Sequence, residues 1–521
     1  MHILLYGPPG SGKSTLAVNL AEQLKRPLVD LDDEIEQHAS MKIPAIFQLK
    51  GEPAFRSMES ELLAQYLSAS EETIISLGGG ALINPKNRAM AEQNGEVLCL
   101  TASLDILIAR LKASNISRPL LNGDLEERTH ALMEKRDSHY ASFTNVLDTS
   151  SIDTEQTLWQ AQVRLGVFRI TGMGKDCDLR IQPGNLKNLG AAMRMANLKG
   201  PIILVSDDNV SALYGQQAII SLENAGYTVA SINIAPGETN KHIGSVSRIW
   251  DACANIGLER GSTIVALGGG VVGDQAGFAA ATYLRGISWV NVPTSLLAMV
   301  DSSLGGKTGA NLPQGKNLIG SFHAPRLVLA DPDLLATLPE REMLSGLGET
   351  VKHGIIAAPK LFKLCAAGRN TIQQNILQVV RKSAAVKIKI IEEDPYERGL
   401  RQSLNLGHTI GHGVELACGL SISHGESVAI GTIAEARLAE YLGLAQPGLA
   451  NQLAKVLNKL GLLTKIPQDI DRNAIIQAMK HDKKSANRVV RFALPIKVGD
   501  VRVGVVAPDW ETWLLNMNEK E

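Results

Sequence analysis

Apolar positions in the first third of the chain fall in short runs, each ended by a glycine-rich or acidic turn and followed by a stretch at helical spacing. HILLY precedes a helix expected from Lys13, PLVDLD precedes another, and TIISLGGGALI and EVLCLTAS continue the pattern. This alternation predicts a parallel sheet with helices on both sides. The stretch Asp148 to Leu165 opens with capping residues and continues at helical period, which predicts a closing helix and a first domain of residues 1–165. VFRITG and CDLRIQPG then predict short strands, and PIILVSDDNV, YTVASINIAPGE and STIVALGGGVVGD restart the alternation. A second α/β part is therefore expected over about 166–338. Beyond it, to residue 521, periodic stretches such as NQLAKVLNKLGLL and Glu342 to Ala367 predict a mostly helical part with the strands fading out. The expected fold class is α/β.

Length and composition sharpen this outline. At 521 residues the chain exceeds one hydrophobic core, since cores stop growing near ~250–300 residues. Hydrophobic residues at 45% and charged residues at 20% describe an ordered globular protein. A net charge of -1 and 4% aromatic residues leave neither a steering field nor stacking platforms for nucleic acid. The five cysteines lie far apart without a C-x-x-C pair, as expected of buried thiols in a reducing compartment. The N-terminus lacks a basic n-region, and no stretch reaches the ~18 apolar residues of a membrane span, so a cytoplasmic protein without a membrane partner is expected.

The run Gly7 to Ser14, GPPGSGKS, fits G-x-x-x-x-G-K-[ST] between a strand and a helix, the context that motif requires. Its backbone amides can close around ATP phosphates at Gly10, Ser11, Gly12 and Thr15, while Lys13 supplies a cation and the Ser14 hydroxyl a Mg²⁺ ligand. Downstream, Asp30 and Asp32 stand two apart at an expected strand end, suited to metal support and a hydroxyl base. Asp33, with Glu36 three residues on, is expected to cap the next helix. GEPAFR places Arg56 on a helix, and Gly78 to Gly80 bring bare backbone to a strand end.

Together with RPLL from Arg118 and Lys135-Arg136 followed by Tyr140, these motifs resemble shikimate kinase over residues 1–165. By that resemblance Asp32, Arg56, Gly79 and Arg136 hold shikimate, with Asp32 catalytic, Asp30 and Ser14 serve Mg²⁺, and Arg118 is a lid arginine over ATP. Two arginines suit a carboxylate, which their planar forks bind bidentately. The stretch Ala113 to Gly123 is expected to close over the site and exclude water. Ser138 departs from the family, whose members often carry proline there.

The second half offers a different chemistry. GGGVVGD from Gly268 to Asp274 follows a strand and opens a helix, where small residues let amides meet a pyrophosphate. SDDN (Ser206–Asn209) and PGETNK (Pro236–Lys241) add polar turns of the same kind. Four of eleven histidines, His353, His408, His412 and His424, share a stretch with Glu349, which suggests a metal site. Helical spacing alone pairs His408 with His412, completed by Glu349 or His424. The cations Arg285, Lys307, Lys316, Lys352, Lys387 and Arg401 point to an acidic or phosphorylated substrate.

PGETNK, GGGVVGD, ATYLRG, VPTSLLAMVDSSLGGKTG, GKNLIGSFHAP, SGLGETVKHG, LNLGHTIGH and HGESVAIG resemble 3-dehydroquinate synthase over residues 166–521. The resemblance replaces the spacing-based pair: Glu349, His408 and His424 bind Zn²⁺, or Co²⁺ in its place, and His412 handles protons. It assigns NAD to Asp208, Glu238, Lys241, Gly270, Asp274, Thr294, Ser295, Lys307 and Lys316. It assigns substrate to Asp301, Lys307, Lys316, Asn317, Lys352, Lys387, Arg401, Asn405 and His412, with Arg285 reaching the neighbouring subunit of a homodimer. Lys352 and Arg401 are implied as catalytic, and one of Lys483 and Lys484 as a substrate contact. The implied reaction oxidises one alcohol of a seven-carbon sugar-acid phosphate with NAD⁺, which acidifies the adjacent C–H so that its proton is lost and phosphate leaves from the next carbon; the ketone is then reduced back and the opened product closes into the ring. Together the halves imply a bifunctional shikimate-pathway enzyme with small-molecule substrates. The competing expectations are another P-loop kinase, a zinc- and NAD-dependent polyol dehydrogenase, and a nucleotide-sensing module.

Overall fold

A computed structural model describes residues 1–113, 124–419, 421–482 and 489–517, without the side chains of 481 and 482. Contacts divide the chain into two compact units, Met1–Phe168 and Arg169–Glu521.

In the first unit five parallel strands stand in the order Leu28–Asp30, Ile74–Ser76, His2–Tyr6, Gly95–Thr101, Val146–Asp148. The apolar run HILLY is buried on both faces because alternate side chains enter different cores. Leu4 and Tyr6 pack with Ile35, Phe55 and Leu63, while Ile3 and Leu5 pack with Leu16, Leu20 and Leu165. The closing helix is Thr154–Leu165, started by a reciprocal Asp153–Gln156 capping box and ended by Gly166 at φ 67°.

The second sheet has seven strands, in the order Val167–Ile170, Cys177–Ile181, Leu327–Ala330, Ser288–Pro293, Thr263–Gly268, Ile202–Asp207, Val229–Ile234. Pairing is parallel from Cys177–Ile181 to Val229–Ile234. Two antiparallel hairpins were not expected from the apolar pattern: Lys307–Leu312 with Gly315–Phe322, and Phe492–Lys497 with Asp500–Val505. The second interrupts the expected helical run, which otherwise holds Glu340–Ala357, Pro359–Ala366, Ile376–Glu393, His408–Ala417, His424–Tyr441, Leu449–Lys459 and Arg472–Asp482. The stretch read as one helical run from Glu342 to Ala367 breaks where Pro359 starts a new helix. Four cysteines are buried and Cys418 is half-buried. Among the described residues no helix is long and apolar enough to cross a membrane.

Candidate active sites

In the first unit the loop between His2–Tyr6 and the helix Lys13–Leu24 turns on glycines in left-handed conformations. A Cβ on Gly7, at φ 136°, would lie 2.0 Å from the carbonyl oxygen of Leu100, so no other residue fits. Lys13 Nζ donates to the Gly7 and Pro8 carbonyls, both at 2.9 Å. The loop lines a 1130 Å³ cavity that also receives Asp30, Asp32, Arg56, Gly79 and Arg136.

Asp30 ends its strand and caps the next helix, Leu31–Ala39, accepting from Asp32 N at 3.1 Å while Ser14 Oγ donates to its other oxygen at 3.3 Å. The helix therefore starts at Leu31, and two expectations fail. Asp33 is not its cap, and Asp30 and Asp32 meet through a helix start rather than through strand alternation. Glu36 instead accepts from Ile43 N at 3.0 Å and pairs with Lys42 at 2.6 Å.

Across the cavity, Gly79 O accepts from Arg136 Nη1 at 3.1 Å and Tyr140 Oη at 2.7 Å. Arg56 sits on the helical stretch Ile43–Leu67, past a kink at Gly51, and pairs with Glu52 at 3.1 Å and Glu59 at 2.7 Å. Glu59, 1% exposed, is pushed up to about 7 by burial, against the pull of Arg56. Arg118 lies outside the described residues, as does nearly all of the stretch expected to close over the cavity.

In the second unit three helices bring the histidine cluster together. Glu349 on Glu340–Ala357 is fully buried, and its Oε1 lies 3.5 Å from His408 Nε2 and 3.4 Å from His424 Nε2. Ligands about 2.0–2.2 Å from a tetrahedral ion stand roughly 3.3–3.6 Å apart, so these edges have the size of a metal polyhedron. Neither Glu349 oxygen has a hydrogen-bond partner, although Lys352 pairs with Oε2. The donor set and geometry fit zinc or cobalt. Burial opposes the Glu349 charge, but Lys352 and both imidazoles hold its carboxyl well below the usual range. His408 and His412 neighbour each other with ring centroids 5.1 Å apart. Three donor atoms lie within 4.8 Å of one another in Glu349, His408 and His424, in His412, Glu415 and His424, and in Asp301, Glu349 and His353. None of these groups pairs His408 with His412, the ligand pair that helical spacing selects.

Lys352 stands beside the cluster, and the other expected cations are held by partners of their own. Lys352 Nζ donates to Leu404 O at 2.9 Å, and Lys387 Nζ to Asp301 O and Oδ1, both at 2.7 Å. Lys307 pairs with Glu397 at 2.5 Å, and Arg401 donates to Pro395 O. Asn405 also reaches Glu397, at 3.1 Å. His353 is buried against Ser383 Oγ at 2.8 Å, and burial, then Lys352, lower it to about 4.

At the sheet end, Gly268–Gly270 lead into the helix Gly270–Thr282. Thr294 N donates to Gly268 O at 3.0 Å, and a Cβ on Gly269 would meet Ser295 Oγ at 3.5 Å, so these positions form one shelf. Lys241 Nζ donates to Asp274 Oδ2 at 2.5 Å and Asn317 Oδ1 at 2.6 Å. Glu238 accepts from Asn311 at 2.8 Å and Asp208 from Asn233 at 3.3 Å. Lys483 and Lys484 lie outside the described residues.

Residues 9–164 match the family shikimate kinase. Residues 231–345 match 3-dehydroquinate synthase N-terminal, and 346–485 match 3-dehydroquinate synthase C-terminal. A 3-dehydroquinate synthase of Nostoc punctiforme is 45% identical over 333 residues, 63% of this chain and 92% of its own. The chain belongs to the 3-dehydroquinate synthase family and carries a shikimate kinase ahead of it. It is a bifunctional enzyme of the shikimate pathway. Two solved structures resemble the synthase unit at 26% identity. A 2-deoxy-scyllo-inosose synthase complexed with carbaglucose-6-phosphate, NAD⁺ and Co²⁺ has a TM-score of 0.61 and covers 67% of this chain and 99% of its own. A 2-epi-5-epi-valiolone synthase of Streptomyces hygroscopicus, with NAD⁺ and Zn²⁺ bound, has a TM-score of 0.60 and covers 67% and 98%.

The two candidate sites contain residues that sequence reasoning missed. In the kinase unit these are Glu59 and Arg110, whose guanidinium donates to Thr149 Oγ1 and O at 2.9 Å and to Gly10 O at 3.4 Å. In the synthase unit they are Glu397 and Glu415, partners of Lys307 and Lys316 at 2.5 and 2.7 Å. The spacing of Arg56 and Glu59, three apart on a helix, was a usable signal. For the others, the cationic or carbonyl partners come from distant segments, and only Glu415 shares a helical face with expected site residues, His408 and His412.

Proposed function

We propose that the kinase unit transfers the ATP γ-phosphoryl group to shikimate. Gly10, Ser11, Gly12, Lys13 and Thr15 hold the phosphates, Ser14 and Asp30 hold Mg²⁺, and Asp32 takes the hydroxyl proton. Arg56 and Arg136, flanking the Gly78–Gly80 turn, hold the substrate carboxylate. Mg²⁺, when bound with ATP, neutralises charge on the transferring group.

The synthase unit acts on 3-deoxy-D-arabino-heptulosonate 7-phosphate, giving 3-dehydroquinate and phosphate. Asp208, Glu238, Lys241, Gly270, Asp274, Thr294 and Ser295 hold NAD, with Lys307 and Lys316 beside it. Glu349, His408 and His424 hold Zn²⁺ or Co²⁺. When bound, NAD⁺ accepts and returns a hydride and the metal polarises the alcohol. Lys387, Arg401, Lys307, Asn317 and Asn405 fix the acidic groups of the substrate, Asp301 fixes Lys387, and His412 and Lys352 handle protons beside the metal ligands. The observation that carries this reading is the buried Glu349 carboxylate at metal-edge distance from two imidazoles and paired with Lys352. The purified chain should release phosphate from the sugar-acid phosphate with NAD⁺ and zinc, and ADP from ATP only with shikimate. Steady NADH release would favour a polyol dehydrogenase instead.

A homodimer through the synthase unit completes the proposal, in the cytoplasm. Leu284 and Arg285 both take positive φ, 49° and 68°, in a turn where Leu284 is 41% exposed. Strain of this kind persists where a site uses it, and the partner's substrate is the use proposed. Arg285→Ala should raise the synthase KM and leave the kinase unchanged.

A further inference from the structure

His424 has two ring nitrogens, and each faces a carboxylate. Nε2 lies 3.4 Å from Glu349 Oε1, on the metal side, and Nδ1 lies 3.7 Å from Glu415 Oε2. An imidazole that ligates through one nitrogen carries its proton on the other, and the group facing that proton decides which nitrogen is which. Glu415 is suited to that part. Its side chain is 8% exposed, and it sits on the helix His408–Ala417, seven residues after His408 and three after His412, on one helical face. Its other oxygen, Oε1, accepts from Lys316 Nζ at 2.7 Å, and Lys316 belongs to the strand Gly315–Phe322. One buried carboxylate therefore joins a metal ligand to the hairpin that carries a cation of the substrate and dinucleotide pocket.

We infer that Glu415 is a positioning residue: it keeps the His424 proton on Nδ1, aims Nε2 at the metal and anchors Lys316 to the same point. The inference rests on the reading of Glu349, His408 and His424 as metal ligands. At 3.7 Å the contact is longer than a hydrogen bond. A cation at Nε2 makes the ring a stronger Nδ1 donor and draws the pair together. The competing arrangement is a second ion held by His412, Glu415 and His424, whose donor atoms lie within 4.8 Å of one another. The Lys316 ammonium argues against it, because it already neutralises Glu415 at 2.7 Å.

The test uses the full-length chain, with zinc affinity measured by competition with a chromogenic chelator. Glu415→Ala should weaken zinc binding about 10- to 100-fold, with Glu415→Gln between it and the parent. Saturating zinc should restore most of the synthase kcat, and the kinase rate, an internal control for folding, should not move. Lys316→Met should raise the synthase KM while zinc affinity stays at least as tight as in the parent, since His424 then has Glu415 to itself. Parental zinc affinity in both Glu415 variants would overturn the inference, as would two zinc ions per parent chain or zinc loss in Lys316→Met equal to that in Glu415→Ala. Retention of zinc by His408→Ala would instead overturn the ligand reading beneath it.

Discussion

Glu59 and Glu415 are both buried carboxylates beside a cation, yet their environments drive them in opposite directions. Glu415 faces His424 and Lys316, which overcome burial and hold its carboxyl well below the usual carboxylate range. Glu59 has Arg56 as its cationic partner and the Asp32 carboxylate nearby, and burial prevails, raising it to about 7. The folded-state value of Glu59 exceeds the unfolded one near 4.5. Its contribution to stability is therefore complete below about pH 4.5 and is lost as pH rises through about 7. Glu59→Gln should remove that part of the pH dependence. Thermal melts of the kinase unit within the full chain should lose midpoint more steeply between pH 5 and 7 in the parent than in the variant. Parallel curves would show that the Glu59 proton is not bound more tightly on folding. Sequence alone could not separate these residues, because a carboxylate on an amphipathic helix reads the same whether it faces solvent or a buried arginine. Single residues were legible where their neighbours constrain the backbone as well, as Gly7 does for the phosphate loop, and illegible where only distant partners set their charge.

At the scale of elements, the metal cluster depends on how closely three helices approach. A Cβ on Gly348 would stand 2.5 Å from Gly425 O, one on Gly425 2.1 Å from Ser345 O, and one on Gly431 2.0 Å from Gly407 O. These glycines put the helices Glu340–Ala357, His408–Ala417 and His424–Tyr441 nearly in backbone contact, which carries His408 and His424 each to within 3.5 Å of Glu349. Gly348→Ala should therefore cost about 1–3 kcal/mol by overpacking and lower zinc content, both measurable by calorimetry and metal analysis with the kinase rate as control. A parental midpoint and a full metal complement would show that the helices can part without harm. The same scale explains what the pattern of apolar residues gave and withheld. HILLY and STIVALG, in sheets covered on both faces, are continuous apolar runs and were legible as strands. The hairpin Lys307–Phe322 was not, because its strands KTGANL and GKNLIGSF are polar and glycine-rich. Gly309 and Gly320 lie directly opposite each other there, with no room for a Cβ on either. The C-terminal hairpin did carry a signal, Val501, Val503 and Val505 alternating after the turn at Gly499, but the helical periodicity before it dominated the reading.

For the whole molecule the decisive fact is where each site draws its residues. Every described side chain assigned to phosphoryl transfer, from Lys13 to Arg136, lies in Met1–Phe168, and every one assigned to the synthase, from Asp208 to His424, lies in Arg169–Glu521. Among the described residues, each assigned set thus lies within one stretch of chain and on its own sheet. Lys13→Ala should lower the kinase rate by at least about 10²-fold, the scale of losing a positioned cation at a developing charge, and leave the synthase kcat within about twofold. Zinc stoichiometry in this variant reports that the second unit is folded. In the reciprocal experiment His408→Ala should lose bound zinc and synthase turnover while phosphorylating shikimate at the parental rate, which in turn reports the fold of the first unit. Because each variant carries its folding control in the untouched activity, a loss of both activities with zinc still bound in Lys13→Ala would leave one explanation, that the synthase reaction depends on the kinase site, and the independence of the two units would be lost.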